Sequence, residues 1–246
     1  MKNFSFQSSG IKLDGTIFYP PNKKEKYPAI LFVHGWTANR KRGFQYAKSL
    51  SKLGFICMLF DIRGHGTSEG DIKTFTIKEF FDDVLAAYDY LAKIKDVDLN
   101  NISAVGSSFG SYLISLLSEK RKIKNLVLRV PADYPSEIFN KRKKSFSSHD
   151  QYIMDWRKQE KDYKETYALK ALHNFSGSVL VIEAEKDESI PRQTIENYLN
   201  SVKDKNKLTY ILLKGAPHSV KAGKFRDQIE QILVKWFNTQ QKIREK

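Results

Sequence analysis

The 246-residue chain has one cysteine, Cys57, so no intramolecular disulfide can form, and the apolar run FICMLF around it predicts a buried, unreactive thiol. CxxC and HExxH pairings are missing, and so is any closely spaced carboxylate set. A structural or catalytic metal is therefore not expected, no motif asks for a cofactor, and the chemistry must come from side chains alone. No stretch approaches the roughly 18 consecutive apolar residues of a membrane span. The opening MKNFSFQSSG lacks the apolar segment of a secretory signal, which makes a cytoplasmic location the expectation. Internal repeats and long low-complexity linkers are absent too, and a chain of this length can bury one substantial core, so a single domain is expected. Acidic side chains are in deficit, 28 Asp plus Glu against 42 Lys plus Arg, for a net charge of +14. Such an excess favours encounter with anions. The lysines are scattered, however, as in NKKEK, KRKK and EKRKIK, which is the pattern of a solvated surface. No nucleic-acid partner is expected; a weak contact with an anionic surface or membrane stays open, with KRKK at 141 to 144 as its candidate.

What the chain does have is alternation. Six short apolar runs read as buried strands: AILFVH (29 to 34), FICMLF (55 to 60), ISAVGS (102 to 107), NLVLRV (125 to 130), SVLVIE (178 to 183) and LTYILL (208 to 213). Helical patterns lie between and after them: RGFQYAKSLSKLG, IKEFFDDVLAAYDYLAKI, FGSYLISLLSEK, PRQTIENYLNSV and KFRDQIEQILVKWFNTQQK. This order predicts an α/β fold with a mostly parallel sheet flanked by helices. Two further strands, 3 to 8 and 12 to 19, joined through SGIK, predict an antiparallel hairpin at the sheet edge. Residues 132 to 175 separate two strands by far more than the usual connection and are expected to form a small inserted cap on a core made of 1 to 131 and 176 to 246.

The most specific local signal is GSSFG at 106 to 110, a G-x-S-x-G between a strand and a helix. Glycines at 106 and 110 allow the sharp turn that exposes the Ser108 hydroxyl at a helix N-terminus, so Ser108 is the expected nucleophile and Ser107 should point elsewhere. A serine hydroxyl needs a base to take its proton. Of five histidines, His34 and His65 precede the nucleophile and belong to other motifs, His149 and His173 fall in the cap, and His218 in GAPHSV follows the last strand on a loop at the same sheet end. His218 is the expected base.

A carboxylate between them should hold the imidazole in the accepting tautomer. Asp187, in EAEKDESIP between a strand end and a helix start, fits best; Asp133, after NLVLRV, is the rival, and Glu183, Glu185 and Glu188 read as strand-end or solvent-facing charges. Two backbone donors are needed for the oxyanion: the residue after the nucleophile, Phe109, and Trp36 after the strand ending His34-Gly35.

The blocks HGWTANR, DIRGHGTSEG, GSSFG and EKDESIP with APHS, in this order from 34 to 218, resemble the α/β-hydrolase fold esterases and peptidases. HGWTANR with a short cap looks most like the cinnamoyl and feruloyl esterase branch and its monoacylglycerol-lipase-like relatives. That resemblance implies hydrolysis of a small-molecule ester through an acyl-enzyme, with Trp36 and Phe109 as oxyanion donors and Asp61, Arg63 and His65 as loop-bracing residues. The same residues would also serve a peptidase or acyl-thioesterase, and a non-catalytic binding protein on this scaffold is the remaining alternative. The cap aromatics Tyr134, Phe139, Phe146, Tyr152, Trp156, Tyr163 and Tyr167 are candidates for pocket lining, with packing as the simpler role.

Overall fold

The structure, a computed structural model, describes residues 1–142 and 150–244. Phe146, His149 and the last two lysines of the 141 to 144 cluster lie outside the described residues.

The chain opens with the expected hairpin, β1 (Lys2–Ser8) and β2 (Ile11–Phe18), closed by Ser9 and Gly10 at φ 48° and 81°. Two successive positive φ values match the right-handed twist of the paired strands. Six strands follow: β3 (Tyr27–Val33), β4 (Ile56–Phe60), β5 (Val97–Ser107), β6 (Asn125–Arg129), β7 (Ser178–Lys186) and β8 (Leu208–Pro217). They form one eight-stranded sheet in the order β1-β2-β4-β3-β5-β6-β7-β8. β1 and β2 pair antiparallel, as do β2 and β4, and every later pairing is parallel. This is the mostly parallel sheet that the sequence pattern implied, in the α/β-hydrolase arrangement that the resemblance implied.

Continuous apolar runs such as ICMLF, all five residues of which are buried, are explained by helices on both faces. Alternation along β3 sorts the two cores. Ala29, Leu31 and Val33 join the side covered by α2 (Ile77–Ala92) and α3 (Phe109–Lys120), whereas Ile30 and Phe32 face α1 (Phe44–Lys52) and the C-terminal helix, named α7 below. Helix α2 begins with a capping box in which Thr76 accepts from the Glu79 N–H and Glu79 accepts from the Thr76 N–H, satisfying donors that the first turn leaves open. Cys57 is buried in the second core, and burial pushes its thiol well above the usual range.

The segment 132 to 175 contains α4 (Gln151–Arg157) and α5 (Tyr167–Asn174). Helix α5 packs on α3, and its buried Ala168, Leu169 and Leu172 belong to the α2/α3-side core. After β7 come α6 (Arg192–Ser201), β8 and α7 (Lys224–Arg244). Glu183, expected as a strand-end or solvent-facing charge, lies within β7 and is buried, paired with Arg192 and hydrogen-bonded by the Tyr210 hydroxyl. No helix among the described residues is long and apolar enough to cross a membrane.

Candidate active site

The sheet ends at a tight turn. β5 stops at Ser107 and α3 starts at Phe109, leaving Ser108 between them at φ 54°, ψ −115°, a conformation that costs a side-chain-bearing residue about 1–3 kcal/mol. Its backbone is held on three sides: the Ser108 N–H donates to the Arg129 carbonyl at 2.8 Å, and its carbonyl accepts from the N–H groups of Ser111 (2.9 Å) and Ala132 (3.3 Å). Gly110 is required by close approach. A Cβ there would fall 2.1 Å from the Val33 carbonyl oxygen, and one at Gly106 would fall 2.6 Å from the Gly110 backbone. The neighbouring Ser107 Oγ accepts from Arg129 Nε at 3.1 Å.

Lys186 and Pro217 are partners across β7 and β8, so the next residue on each strand, Asp187 and His218, emerges at the same sheet end. Asp187 Oδ1 accepts from the N–H groups of Ser189 and Ile190, each at 2.8 Å, and Oδ2 lies 2.7 Å from His218 Nδ1. Two backbone donors thus orient the carboxylate and the carboxylate orients the ring. A proton on Nδ1 leaves the Nε2 lone pair available as an acceptor.

Asp133, the rival acid, turns inward. Its Oδ1 accepts from the Tyr134 N–H at 2.9 Å, burial pushes its carboxyl up to about 7, and among the described residues no hydrogen bond joins it to His218. His173 stacks on Tyr163 with ring centroids 3.6 Å apart. His34 donates from Nδ1 to the Gly35 carbonyl (2.8 Å) while Nε2 accepts from the Ile62 N–H (3.1 Å), which requires a neutral ring. Burial and then the neighbouring His65 depress its pKa to about 4.

The backbone of the β3 loop passes directly beside the turn: a Cβ on Gly35 would lie 3.4 Å from Ser108 Cβ. The next amide, that of Trp36, and the amide of Phe109 at the free N-terminal end of α3 are the two N–H groups expected to point at an oxyanion. The Trp36 indole packs edge-on against His65, Phe80 and Phe109, with centroids 5.2, 5.3 and 5.5 Å away, which fixes that loop. The loop after β4 is braced as expected: Asp61 accepts from the Arg40 N–H and the Thr67 N–H and pairs with the Arg40 guanidinium, Arg63 forms a buried ion pair with Asp83 (2.6 Å), and His65 Nδ1 meets the Arg63 carbonyl (2.9 Å).

Ser108, His218 and Trp36 line one cavity of about 320 Å³. Of the described cap aromatics only Tyr134 reaches it; Phe139 packs on Phe81 and Tyr167 instead. Arg157 and Arg129 are among the lining residues that were not singled out from the sequence. Arg157 of α4 is buried, lies over the Tyr134 ring at 4.8 Å and donates to the Asp133 carbonyl at 3.1 Å. Arg129 ends β6 and donates through Nη1 and Nη2 to the His218 carbonyl at 3.0 and 2.9 Å. The signal for it was present: a cation at the end of NLVLR, two positions after the buried Val127 and so on the same face.

Comparison with known proteins agrees with this architecture. A Mycobacterium tuberculosis protein of uncharacterised function is 25% identical over 210 residues, covering 85% of this chain and 69% of its own. A Mycoplasma genitalium protein, named as a candidate esterase/lipase, is 30% identical over 122 residues, 48% of this chain and 41% of its own. Among solved structures, Est1E from Butyrivibrio proteoclasticus with ferulic acid bound superposes with a TM-score of 0.77 at 20% identity, covering 96% of this chain and 98% of that one. The acylaminoacyl peptidase of Pyrococcus horikoshii gives 0.70 at 21% identity over 96% of this chain and 41% of that one. The sequence profile of the prolyl oligopeptidase family matches residues 42–244, and the chain therefore belongs to that family of α/β-hydrolases.

Proposed function

We propose that the protein is a serine carboxylesterase that cleaves esters of small to medium or aromatic acyl groups through an acyl-enzyme, with Ser108, His218 and Asp187 as nucleophile, base and orienting acid. The observation that supports it most is the 2.7 Å contact between His218 Nδ1 and a twice-anchored Asp187, at the cavity that Ser108 also lines. In this reading Ser108 Oγ attacks the ester carbonyl as its proton passes to His218 Nε2. The carbonyl oxygen becomes an oxyanion facing the amides of Trp36 and Phe109, and Asp187 stabilises the imidazolium. Collapse breaks the carbonyl to alkoxy bond, and the Nε2 proton leaves with the alcohol. Water, deprotonated by the same nitrogen, then attacks the acyl-serine, and the returning proton regenerates Ser108. Residues 132 to 175 act as the cap, and among its described residues Tyr134 and Arg157 reach the cavity.

Membership of a family described by its oligopeptidases favours a second reading, cleavage of a peptide bond by the same groups. An acyl-thioesterase would also use them. A cavity of about 320 Å³ suits a compact ester better than a long peptide. The test is a panel of 4-nitrophenyl acetate, butyrate and 4-hydroxycinnamate esters, acyl thioesters and aminoacyl 4-nitroanilides, each with the wild type and Ser108→Ala. Ester turnover that disappears in Ser108→Ala supports the proposal; anilide turnover without ester turnover rejects it in favour of the peptidase.

A further inference from the structure

The cavity beside Ser108 is lined by a cation that forms no ion pair among the described residues. Arg129 lines it from the α1/α7 face, and its three hydrogen bonds go to neutral acceptors, Ser107 Oγ and, twice, the His218 carbonyl. Of the five N–H donors of a guanidinium this leaves two with no hydrogen-bond partner among the described residues. Among the described residues no carboxylate forms an ion pair with Arg129. Asp187 is near enough to act on it, but its two oxygens already accept from His218, Ser189 and Ile190. Other arginines of the chain are paired with carboxylates, Arg63 with Asp83 and Arg40 with Asp61, while the buried Arg157 donates to the Asp133 carbonyl. An arginine remains charged at any ordinary pH, and a half-buried guanidinium with unused donors at a cavity is suited to hold a ligand anion. Burial lowers the pKa of Arg129, and the nearby Tyr46 and Asp187 act in the opposite direction.

The rest of the lining agrees in sign and shape. Arg42 also lines the cavity, and Glu188, an exposed residue, is the one carboxylate among the described lining residues. Beside these charges lies an apolar wall of Val127, Ile182, Ile229 and Leu233. A ligand that satisfies both has a short alkyl or aryl body and an anionic end.

We infer that the preferred substrate is an ester carrying a free carboxylate, held by Arg129 with Arg42 beside it while the ester group sits at Ser108. This rests on the reading of Ser108 as the nucleophile. The reaction is the hydrolysis already written, with the carboxylate taking no part in bond making.

The experiment measures kcat/KM for two matched pairs. Mono-4-nitrophenyl glutarate against 4-nitrophenyl pentanoate places the charge on the acyl half; 3-(butyryloxy)benzoate against phenyl butyrate places it on the alcohol half. A charge-assisted hydrogen bond to the carboxylate corresponds to about tenfold or more in favour of one charged ester. Added salt should reduce that preference, and Arg129→Gln should bring the ratio close to one, with Arg129→Lys retaining part of it. Because Arg129 also holds the His218 carbonyl, its variants will lower the rate on all four esters, and the ratio within each pair is the readout. Wild-type preference for the neutral ester in both pairs, or a charged preference that Arg129→Gln leaves intact, overturns the inference while the esterase reading stands. Failure to turn over any of the four, with no labelling by a phosphonate probe, removes that reading and this inference with it.

Discussion

Replacing Asp187 with asparagine isolates the role of one oxygen. The carboxylate accepts three hydrogen bonds, from the Ser189 and Ile190 N–H groups at 2.8 Å and from His218 Nδ1 at 2.7 Å. An asparagine of the same shape keeps its carbonyl oxygen on the two backbone donors, which turns its amide N–H groups toward His218. The imidazole must then accept at Nδ1 and place its proton on Nε2, where the Ser108 hydroxyl needs an acceptor. In serine triads this tautomer error costs about 10⁴-fold in kcat, or about 5.5 kcal/mol of barrier. Folding should hardly change, because the backbone anchors survive. The assay is kcat on 4-nitrophenyl butyrate together with the thermal midpoint. Asp133→Asn is the control, since Asp133 bonds the Tyr134 N–H and not His218; it should retain kcat within about tenfold, far above the triad loss. A loss under tenfold in Asp187→Asn combined with a collapse in Asp133→Asn would refute the assignment.

Two further outcomes follow from the same geometry. Gly110→Ala drives a methyl group to within 2.1 Å of the Val33 carbonyl oxygen, so the turn cannot close around it; denaturant unfolding should show a loss of about 3 kcal/mol with activity falling in parallel. His34 is held neutral, with its pKa lowered by burial and by His65 from 6.5 to about 4. The folded state therefore binds fewer protons than the unfolded chain across that window, and stability present above pH 6.5 is lost as the pH falls toward 4. His34→Gln, whose side chain can still accept from the Ile62 N–H, should flatten that part of the stability profile measured by chemical denaturation from pH 7 to 4; an unchanged slope would show that His34 does not carry it.

How much of this was legible in the sequence depends on how local each signal is. Ser108 stands in a five-residue motif whose glycines are demanded by contacts within the turn and with a neighbouring strand, so GSSFG was enough to expect the turn. His218 and Asp187 are 31 residues apart, yet each directly follows a readable apolar strand, and parallel neighbours end together. Glu183 reads as a strand-end or solvent-facing charge, and nothing beside it in the chain shows that Arg192 and Tyr210 fold over it. The length of 132 to 175 suggested one insertion, but length does not reveal that Ala168, Leu169 and Leu172 form the stripe by which α5 enters the core on α3. Arg129 was hidden for the same reason: strand alternation assigns its face, whereas its bonds to Ser107 and His218 arise only when three strand ends meet.

The central claim is that Ser108 Oγ is made nucleophilic by His218. It is tested most directly by treating the folded protein with a fluorophosphonate and mapping the adduct by peptide mass spectrometry. The account predicts one stoichiometric phosphonyl group on Ser108, strongly slowed in His218→Ala and absent in Ser108→Ala. An adduct on Ser107 or elsewhere, or labelling of Ser108 at the same rate without His218, would contradict it.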